Sequence, residues 1–429
     1  MPNAYVNMSD EQLRDEISRL EAEADELRAR DLKLDMARGK PNPEQVDISR
    51  ALLDELTSVS SLEDEGVDAA NYGCPDGLPS ARRLAAEVLS VDPANVIVGN
   101  SASLSLMHAL VTNAYVHGVA GCEPWCRQGE VKFLCPSPGY DRHFAITESL
   151  GIVNVPIEMG ADGPDMDEVR HLVEGDPQVK GIWCVPKYEN PTGITYSDDV
   201  VRAFAALKPA AKDFRIFWDN AYAVHDIVQP GDELLEIFSA VHEAGNSNLV
   251  YEFASTSKVT FPGAGMAWVA ADDDDLAEIR RALGIAQVCP NKMVQLAHAR
   301  YLKDLTGVRA HMSRHAQFVA PRFALVQRKL SEGLGDLDVA TWTKPNGGYF
   351  VSFDGPEGSA KAIVGLAAEL GVKMTGAGAT WPYGRDPRDT NIRIAPTYPS
   401  LEELGAALDV FVVCVKLVSA RLALQARTA

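Results

Sequence analysis

The sequence predicts an α/β fold, with a large domain built on a mostly parallel sheet between helices and a smaller α+β domain. From about residue 70 to residue 305, short apolar runs of strand length alternate with amphipathic helical patterns, which is typical of parallel sheets. A long helical pattern follows over residues 303–330. Beyond it, strand-like runs at 347–353 and 391–395 flank a predicted helix at 360–370, which indicates a second, smaller sheet.

The first predicted element is an amphipathic helix near the N-terminus. Ser9 and Gln12 match the capping-box pattern that begins helices, and the apolar residues after them share one helical face: Leu13, Ile17, Leu20 and Leu27. We expect this helix to pack on the body of the protein or on a second subunit. The expected domains are an N-terminal helix and joining segment at 1–60, a large cofactor-binding domain at 61–305, and a small C-terminal domain at 306–429.

Short apolar runs predict the strands of the large sheet: 96–98, 131–134, 152–157, 181–185, 214–218 and 249–253. Polar motifs follow the last three of these runs, and open α/β sheets bind their ligands just past the ends of the strands. The motifs are Asn190-Pro191-Thr192-Gly193, then Asp219-Asn220-Ala221-Tyr222, then Ser255-Thr256-Ser257-Lys258. The sequence therefore predicts one site at this edge of the sheet.

Lys258 is the candidate nucleophile of that site. An amine among hydroxyl side chains directly after a strand is how a chain presents a lysine that forms a Schiff base with a phosphorylated aldehyde cofactor. A lysine taken alone is more often a solvated charge. The upstream motifs favour the cofactor, because Asp219 can pair with a protonated pyridine nitrogen. Asn190 and Tyr222 can donate to the ring's phenolate oxygen, although each motif alone is also explained as a turn or a helix cap.

With these three motifs in this order, the chain resembles the fold type I enzymes that use pyridoxal 5′-phosphate, and specifically the class I aminotransferases. The resemblance runs from about Asp35 to about Tyr398, and it is closest to the divergent aspartate aminotransferase subgroup that is similar to MocR-type proteins. It implies the roles just described for the lysine, the aspartate, the asparagine and the tyrosine. In this family the lysine also shuttles the proton.

Four further residues take their roles from the resemblance alone. Tyr140 resembles the aromatic residue that stacks on the cofactor ring, and Arg393 resembles the arginine that binds the α-carboxylate of the substrate. Tyr72 resembles the tyrosine that reaches the cofactor phosphate of a neighbouring subunit, which implies a homodimer with shared active sites. Gly39 resembles the N-terminal glycine that covers the substrate.

One position departs from the family pattern. Class I aminotransferases usually carry an arginine a short distance past the lysine, where it pairs with the cofactor phosphate, and here Gly265 is nearest to that position. The phosphate must therefore depend on other groups. A small polar loop between a predicted strand and a predicted helix aims backbone N–H groups at an anion, although a serine cap on a core helix would also explain it. The expected phosphate ligands are Ser101, the Ala102 amide, Ser103, Ser255 and Ser257.

Composition argues against two kinds of partner. A net charge of −20 and a pI near 4.9 argue against a nucleic-acid surface, which needs clustered Lys and Arg. No apolar run is long enough for a membrane span.

The cysteines bear on the cellular location. They are scattered and form no Cys-x-x-Cys pair, and the sequence has no recognisable targeting segment, which indicates reduced thiols and a cytoplasmic location.

The histidines suggest little chemistry by themselves. His311 and His315 have a spacing that metal sites use, but no carboxylate or cysteine nearby completes a ligand set, so we expect no metal. His143 and His225 lie close to the cofactor motifs. One interpretation is that they support the residues that contact the cofactor; the other, which we expect, is that they are ordinary polar neighbours with satisfied hydrogen bonds.

The sequence thus predicts an aminotransferase that works by ping-pong half-reactions, with small amino and keto acids as its partners. Aspartate or glutamate is the expected donor, with oxaloacetate and 2-oxoglutarate as the keto acids. A dicarboxylate substrate needs a second cation for its distal carboxylate. Arg142 is the candidate, with Arg38 and Lys187 as runners-up, whereas the alternative for Arg142 is a surface arginine at a helix start.

Three rival functions stay open. The first is a transaminase for alanine, an aromatic amino acid or 2-aminoadipate. The second is a lyase or decarboxylase with the same cofactor, although an arginine that binds the α-carboxylate, Arg393, disfavours decarboxylation. The third is a non-catalytic MocR-like regulator, which would need a basic DNA-binding domain where only about thirty-five residues precede Gly39.

Overall fold

The structure is a computed structural model that describes residues 4–427. Its helices are α1 (Ala4–Asn7), α2 (Asp10–Ala29), α3 (Pro43–Asp47), α4 (Pro79–Leu89), α5 (Ser103–His117), α6 (Asp141–Ser149), α7 (Met166–Gly175), α8 (Asp198–Ala205), α9 (Ile237–Glu243), α10 (Asp273–Ala286), α11 (Lys292–Leu302), α12 (Leu305–Leu334), α13 (Ala360–Glu369) and α14 (Leu401–Gln425). Its strands are β1 (Leu34–Asp35), β2 (Glu63–Asp64), β3 (Val67–Asp68), β4 (Val96–Val98), β5 (Lys132–Ser137), β6 (Val153–Glu158), β7 (Val179–Cys184), β8 (Arg215–Asp219), β9 (Val250–Ser255), β10 (Ala267–Ala270), β11 (Thr341–Trp342), β12 (Val351–Asp354), β13 (Val372–Lys373) and β14 (Asn391–Ile394).

A seven-stranded sheet organises the larger part of the molecule, in the order β4-β10-β9-β8-β7-β5-β6. All neighbouring strands are parallel except β10, which is antiparallel to both β4 and β9. Alternate residues of one strand enter different hydrophobic cores: Ile216 and Trp218 lie in one and Phe217 in the other. The sheet is therefore covered on both faces, which confirms the predicted α/β fold.

A smaller antiparallel sheet, β11-β12-β14, lies in a third core with α2, α13 and α14. The N-terminal segment enters this part of the molecule through β1, which pairs in parallel with β13. The long helix α12 belongs to both parts, because Val308 and Met312 pack in the core of the large sheet, whereas Val319 and Phe323 pack in the third core. The domain boundaries at 60 and 305 stay predictions.

The N-terminal helix α2 has the predicted capping box, with Ser9 and Gln12 exchanging side-chain and backbone hydrogen bonds. Its buried residues are Leu13, Leu20, Ala24 and Leu27. They lie in the same core as the C-terminal helix α14, so the helix packs on the body of its own chain. None of the helices within residues 4–427 is both long and apolar enough to cross a membrane.

The direction of the strands explains where the site forms. Strands β5, β7, β8 and β9 are parallel, and β4 has the same direction as β9 because both are antiparallel to β10. The chain segments that leave these strands therefore meet at one edge of the sheet. The three polar motifs and the loop at 99–102 all lie in such segments.

Candidate active site

Lys258 lies in a turn directly after β9. The turn is closed by hydrogen bonds from the Val259 and Thr260 amides to the Thr256 carbonyl, each 2.9 Å. The lysine is partly buried, and its amine lies 4.8 Å from the centre of the Tyr222 ring. Desolvation lowers the pKa of Lys258; the charge of Asp219 opposes this shift and that of Arg393 adds to it. A lowered pKa increases the fraction of neutral amine, the form that attacks a carbonyl.

Asp219 is the last residue of β8 and is buried. Its Oδ2 accepts a hydrogen bond of 3.0 Å from His143 Nε2, and the His143 ring stacks on Trp183 at a centroid distance of 4.7 Å. Its Oδ1 is also buried, but it has no hydrogen-bond partner among the described residues. A buried carboxylate oxygen without a partner is costly, so this atom is an acceptor prepared for a protonated ligand group.

Two phenols share the site with Asp219. Tyr140 stands immediately before α6, and desolvation, with Asp219 and Asp141 adding to it, raises the pKa of this phenol to about 12. Tyr222 is almost fully buried, and desolvation followed by the nearby Tyr140 and Asp219 raises its pKa well above the usual value. Both phenols are therefore protonated at neutral pH and can act as hydrogen-bond donors.

Arg393 reaches this site from β14 of the smaller sheet. Its Nη1 donates to Asn190 Oδ1 and to Asp141 Oδ1, each at 3.2 Å, and its Nη2 donates to Thr375 Oγ1 at 3.4 Å. Its Nε is buried without a hydrogen-bond partner in the described part of the chain. Because Asn190 uses its amide oxygen for the arginine, its NH₂ group stays available as a donor.

Gly39 and Arg393 both lie close to the ring of Phe350. The guanidinium carbon of Arg393 is 4.9 Å from the centre of the Phe350 ring. A Cβ atom on Gly39 would lie 2.1 Å from Phe350 Cζ, so any other residue would have to displace the ring. The N-terminal segment and Arg393 therefore share Phe350 as a neighbour, and the role of Gly39 in covering a substrate stays a prediction.

The loop after β4 lies next to the Lys258 turn, because β10 joins them. Gly99 N donates to Ala267 O at 2.8 Å, and Ala267 N donates to Asn100 O at 3.0 Å. On the other side of β10, Ala267 pairs with Ser255, three residues before the lysine. The two loops predicted to bind a phosphate are therefore neighbours.

The predicted phosphate ligands lie at the start of α5 and in the lysine loop. Helix α5 begins at Ser103, after Ser101 and Ala102, and no side chain caps its N-terminus. The hydroxyls of Ser255 and Ser257 lie 3.1 Å apart. An uncapped helix N-terminus beside hydroxyl groups has the chemistry of an anion site.

The three cations considered for a distal carboxylate lie outside this cluster. Arg142 is exposed on α6, and its side chain makes no hydrogen bond or ion pair within residues 4–427, although its charge lowers the pKa of Tyr140. Lys187 is buried and pairs with Asp226 at 3.0 Å. Arg38 is exposed and pairs with a neighbouring aspartate at 3.1 Å. Arg142 therefore stays the candidate, and its role stays a prediction.

Tyr72 lies in the loop between β3 and α4, and its side chain is 79% exposed. A large phenol that its own chain leaves exposed is available to a second subunit. The role predicted for it is in a neighbouring subunit's site, so the single chain does not test that role.

Sequence reasoning missed several contributors to the site. His143 is the hydrogen-bond partner of Asp219, which is the supporting role that the sequence favoured less than an ordinary polar neighbour. Its position three residues after Tyr140, within the first turn of α6, was the available signal. Phe350 and Asp141 both contact Arg393, and Phe350 had no signal beyond its place in an apolar run.

A cavity of about 700 Å³ lies beside this site and not within it. Its wall includes Lys187, Trp218, Asn220 and Glu252. Lys258, Asp219 and Arg393 are not part of that wall. The hydrogen bonds and charges around Lys258, and not cavity size, identify the candidate site.

Comparison with known proteins agrees with this geometry. A family model described as aspartate amino-transferase matches residues 8–427. A putative aminotransferase of Mycolicibacterium smegmatis is 48% identical over 395 residues, which are 91% of this chain and 92% of that protein. An aspartate aminotransferase of Corynebacterium glutamicum is 43% identical over 401 residues, 92% of each chain.

A solved structure extends the likeness to the fold. The crystal structure of an aspartate transaminase from Corynebacterium glutamicum has a TM-score of 0.95 and 40% sequence identity to this chain, over 98% of this chain and 99% of that one. Both the sequence and the fold therefore match over nearly the full length. The chain belongs to the aspartate aminotransferase family.

Proposed function

We propose that the protein transfers the amino group of aspartate to 2-oxoglutarate in two ping-pong half-reactions, with pyridoxal 5′-phosphate as its cofactor. Aminotransferase activity follows from the family to which the chain belongs. The observation that carries the proposal is the convergence of Lys258, Asp219 and Arg393. The Lys258 amine lies 4.8 Å from the centre of the ring of Tyr222, three residues after Asp219, and Arg393 donates to Asn190 at 3.2 Å. The charges of Asp219 and Arg393 both act on the lysine amine, although the three residues lie far apart in the sequence.

The residues at the site fit this cofactor. Asp219 Oδ1 offers a buried, unpartnered acceptor for a pyridine nitrogen. The uncapped N-terminus of α5 and the surrounding serine hydroxyls offer donors for a phosphate. Lys258 offers an amine of lowered pKa for the aldehyde. When bound, the cofactor supplies an electron sink that stabilises negative charge at the substrate α-carbon.

The chain's own groups have separable tasks in this proposal. Arg393 binds the α-carboxylate, and its guanidinium is oriented in advance by Asn190 and Thr375. Lys258 takes the proton from the α-carbon, for which a neutral amine is required. Asp219 keeps the ring nitrogen protonated, and His143 holds that carboxylate in place.

The substrate preference is the second part of the proposal. Relatives that match nearly the whole chain carry the name aspartate aminotransferase or aspartate transaminase. We infer that Arg142 binds the distal carboxylate, because its charge reaches Tyr140 and it has no partner of its own within the described chain. A free guanidinium near the site can form a charge-assisted pair with a dicarboxylate.

We also infer that the chain falls in the divergent subgroup that resembles MocR-type proteins. The motifs from Asp35 to Tyr398 support this placement, and Gly265, near the position of the usual phosphate-binding arginine, is a departure from the common family pattern. Gly265 is buried, and a Cβ atom there would lie 3.0 Å from Thr256 Oγ1 and 3.4 Å from Ser257 N. A long side chain at this position would therefore press on the loop that carries Lys258.

Two further inferences concern the state of the protein. We infer a homodimer, which is supported by the exposed Tyr72. We infer a cytoplasmic location, because the seven cysteines are all free within residues 4–427.

A substrate panel tests the proposed function. Each amino acid is mixed with the purified holoenzyme, and loss of the cofactor's absorbance band and formation of the keto acid are both followed. We expect aspartate and glutamate to give the highest kcat/KM values, with conversion to keto acid and no release of ammonia. A faster reaction with alanine, an aromatic amino acid or 2-aminoadipate would contradict the substrate assignment, and released ammonia would indicate a lyase.

A further inference from the structure

Three buried histidines converge on the turn that carries Lys258. Each contacts one of three consecutive residues, 258–260. The contacts are His225 Nε2 to the Lys258 carbonyl oxygen at 3.3 Å, His311 Nε2 to the Val259 carbonyl oxygen at 2.7 Å, and His298 Nε2 to the Thr260 hydroxyl at 2.8 Å. The rings are at most 4% exposed, and they come from the turn after β8, from α12 and from α11. Three separate elements therefore hold one turn.

The proton positions on His311 follow from the arginine that lies against its Nδ1. Arg314 Nη2 lies 2.7 Å from His311 Nδ1, and a guanidinium only donates, so Nδ1 is the acceptor. Burial lowers the pKa of His311 to about 4, so the ring is neutral at neutral pH. Its one proton is therefore on Nε2, from which it is donated to the Val259 carbonyl.

The proton positions on His298 follow from the same reasoning in reverse. His298 Nδ1 lies 2.8 Å from the Val294 carbonyl oxygen, which only accepts, so Nδ1 carries the proton. Burial lowers the pKa of this ring as well. Nε2 is then the acceptor for the Thr260 hydroxyl. Each of these contacts has a fixed direction, so no protonation change is needed to satisfy them.

A second layer connects this turn to the N-terminal segment. His315 Nε2 lies 3.0 Å from His311 Nε2, and Gln45 of α3 lies 3.0 Å from His315 Nδ1 and 2.7 Å from the Tyr349 hydroxyl. Tyr349 directly precedes Phe350, whose ring lies against the guanidinium of Arg393. The same set of buried polar contacts thus extends from the lysine turn to the arginine side of the site.

We propose that His298 and His311 are positioning residues that fix the Lys258 turn. The proposal rests on the role proposed above for Lys258. His311 bonds to the Val259 carbonyl and His298 to the Thr260 hydroxyl, and neither ring contacts the Lys258 amine. Both histidines therefore act on the position of that amine. A displacement of about 1 Å at a reacting group costs up to about a hundredfold in rate.

Paired variants of His311 and Thr260 test the proposal. His311→Leu removes the donor to Val259, whereas His311→Gln keeps an N–H donor. Thr260→Val removes the hydroxyl that lies 2.8 Å from His298 Nε2 and 3.3 Å from the Thr256 carbonyl oxygen, whereas Thr260→Ser keeps it. The exposed His242, replaced by Leu, is the control for loss of a histidine elsewhere.

Two measurements read out the position of the turn. In the cofactor-free protein, hydrogen exchange at the amides of residues 256–260 should be faster in His311→Leu and Thr260→Val, and close to wild type in the Gln, Ser and control variants. In the holoenzyme, the first two variants should lose about ten- to a hundredfold in kcat, with KM for aspartate little changed. His311→Gln and Thr260→Ser should recover most of this loss.

The outcomes distinguish a failure of the positioning role of the histidines from a failure of the role proposed for Lys258. Unchanged exchange and unchanged kcat in both His311→Leu and Thr260→Val would overturn the positioning role, as would a kcat loss without faster exchange. If His311→Leu does not fold, Thr260→Val decides the question, because it alters a single hydroxyl. If borohydride reduction labels a lysine other than Lys258, the proposed function fails, while faster exchange at 256–260 would still show that the histidines hold the turn.

Discussion

Lys258 and Asp219 show how far the surroundings set the chemistry of single residues. Desolvation lowers the pKa of the lysine, and the opposing charge of Asp219 limits that shift. Asp219 in turn keeps one oxygen for His143 and leaves the other without a partner among residues 4–427. An amine ready to react and a carboxylate ready to accept a proton-bearing nitrogen are therefore prepared in the same small volume.

Replacing the lysine tests the first of these groups. Lys258→Ala should abolish both turnover and the borohydride-reducible adduct with the cofactor, because no other lysine lies in the hydroxyl-rich loop. Reduction followed by peptide mapping measures this directly. For the labelling alone, Lys187→Ala is a matched control, since that lysine is also buried but pairs with Asp226. Label on another lysine would overturn the assignment.

The two arginines make separable predictions at the same scale. Arg393→Ala should harm the reaction of every amino acid, because all carry an α-carboxylate. Arg142→Ala should lower kcat/KM for aspartate by roughly ten- to a hundredfold, the effect of losing a charge-assisted pair of about 1.5–3 kcal/mol, and should leave alanine little changed. Equal losses for aspartate and alanine in Arg142→Ala would show that this arginine is structural.

Among the elements, the start of α5 contributes most directly to the site. The helix follows β4 after a short loop, and no side chain caps its N-terminus. Its dipole and N–H groups face the edge of the sheet at which the Lys258 turn also lies, because β10 joins the two loops. An anion held there needs no nearby arginine, which is consistent with glycine at position 265.

Alanine variants of Ser101, Ser103 and Ser255 test this anion site. Each should weaken cofactor binding by roughly ten- to a hundredfold, since a hydrogen bond to a charged group contributes about 1.5–3 kcal/mol. Cofactor dissociation constants measured on the apo protein check the prediction. Ser105→Ala, at an exposed position farther along α5, is the control. Unchanged dissociation in all three variants would refute the site.

At the scale of the whole molecule, Tyr72 predicts that two chains share each site. Mixing inactive Lys258→Ala subunits with inactive Tyr72→Phe subunits should restore part of the activity, because a mixed dimer contains one site with neither change. Sedimentation or light scattering establishes the dimer, and subunit exchange is verified with a tagged chain. A fully active monomer, or no recovery after proven exchange, would contradict shared sites.

The buried histidines predict how stability depends on pH. Burial lowers the pKa of His225 and His315 to about 3 and that of His311 to about 4, whereas an unfolded histidine titrates near 6.5. Between these values the unfolded chain binds more protons than the native one. Each histidine therefore makes the free energy of unfolding fall as pH falls below about 6.5.

A single substitution isolates this effect from the other titrating groups. His315→Gln should lose less stability than the wild type between pH 7 and pH 5, with a difference of about 2 kcal/mol, because the new side chain does not titrate. Denaturant unfolding of the cofactor-free protein at both pH values measures it. His242→Gln, at an exposed position, serves as the control. Equal pH dependence in His315→Gln and the wild type would show that His315 is not held neutral in the native state.

The sequence by itself determined the elements and the order of the chemical motifs. Apolar runs, capping residues and helical periodicity are local signals, so they placed six of the seven strands of the large sheet, helices α2, α12 and α13, and the loop that carries Lys258. The tertiary structure alone decided the antiparallel strand β10, the strand order and the pairing of His143 with Asp219. It also decided the contact of Gly39 with Phe350 and the meeting of three histidines at one turn. These contacts join residues far apart in the chain, and they depend on how the sheets and helices pack, which no local pattern records.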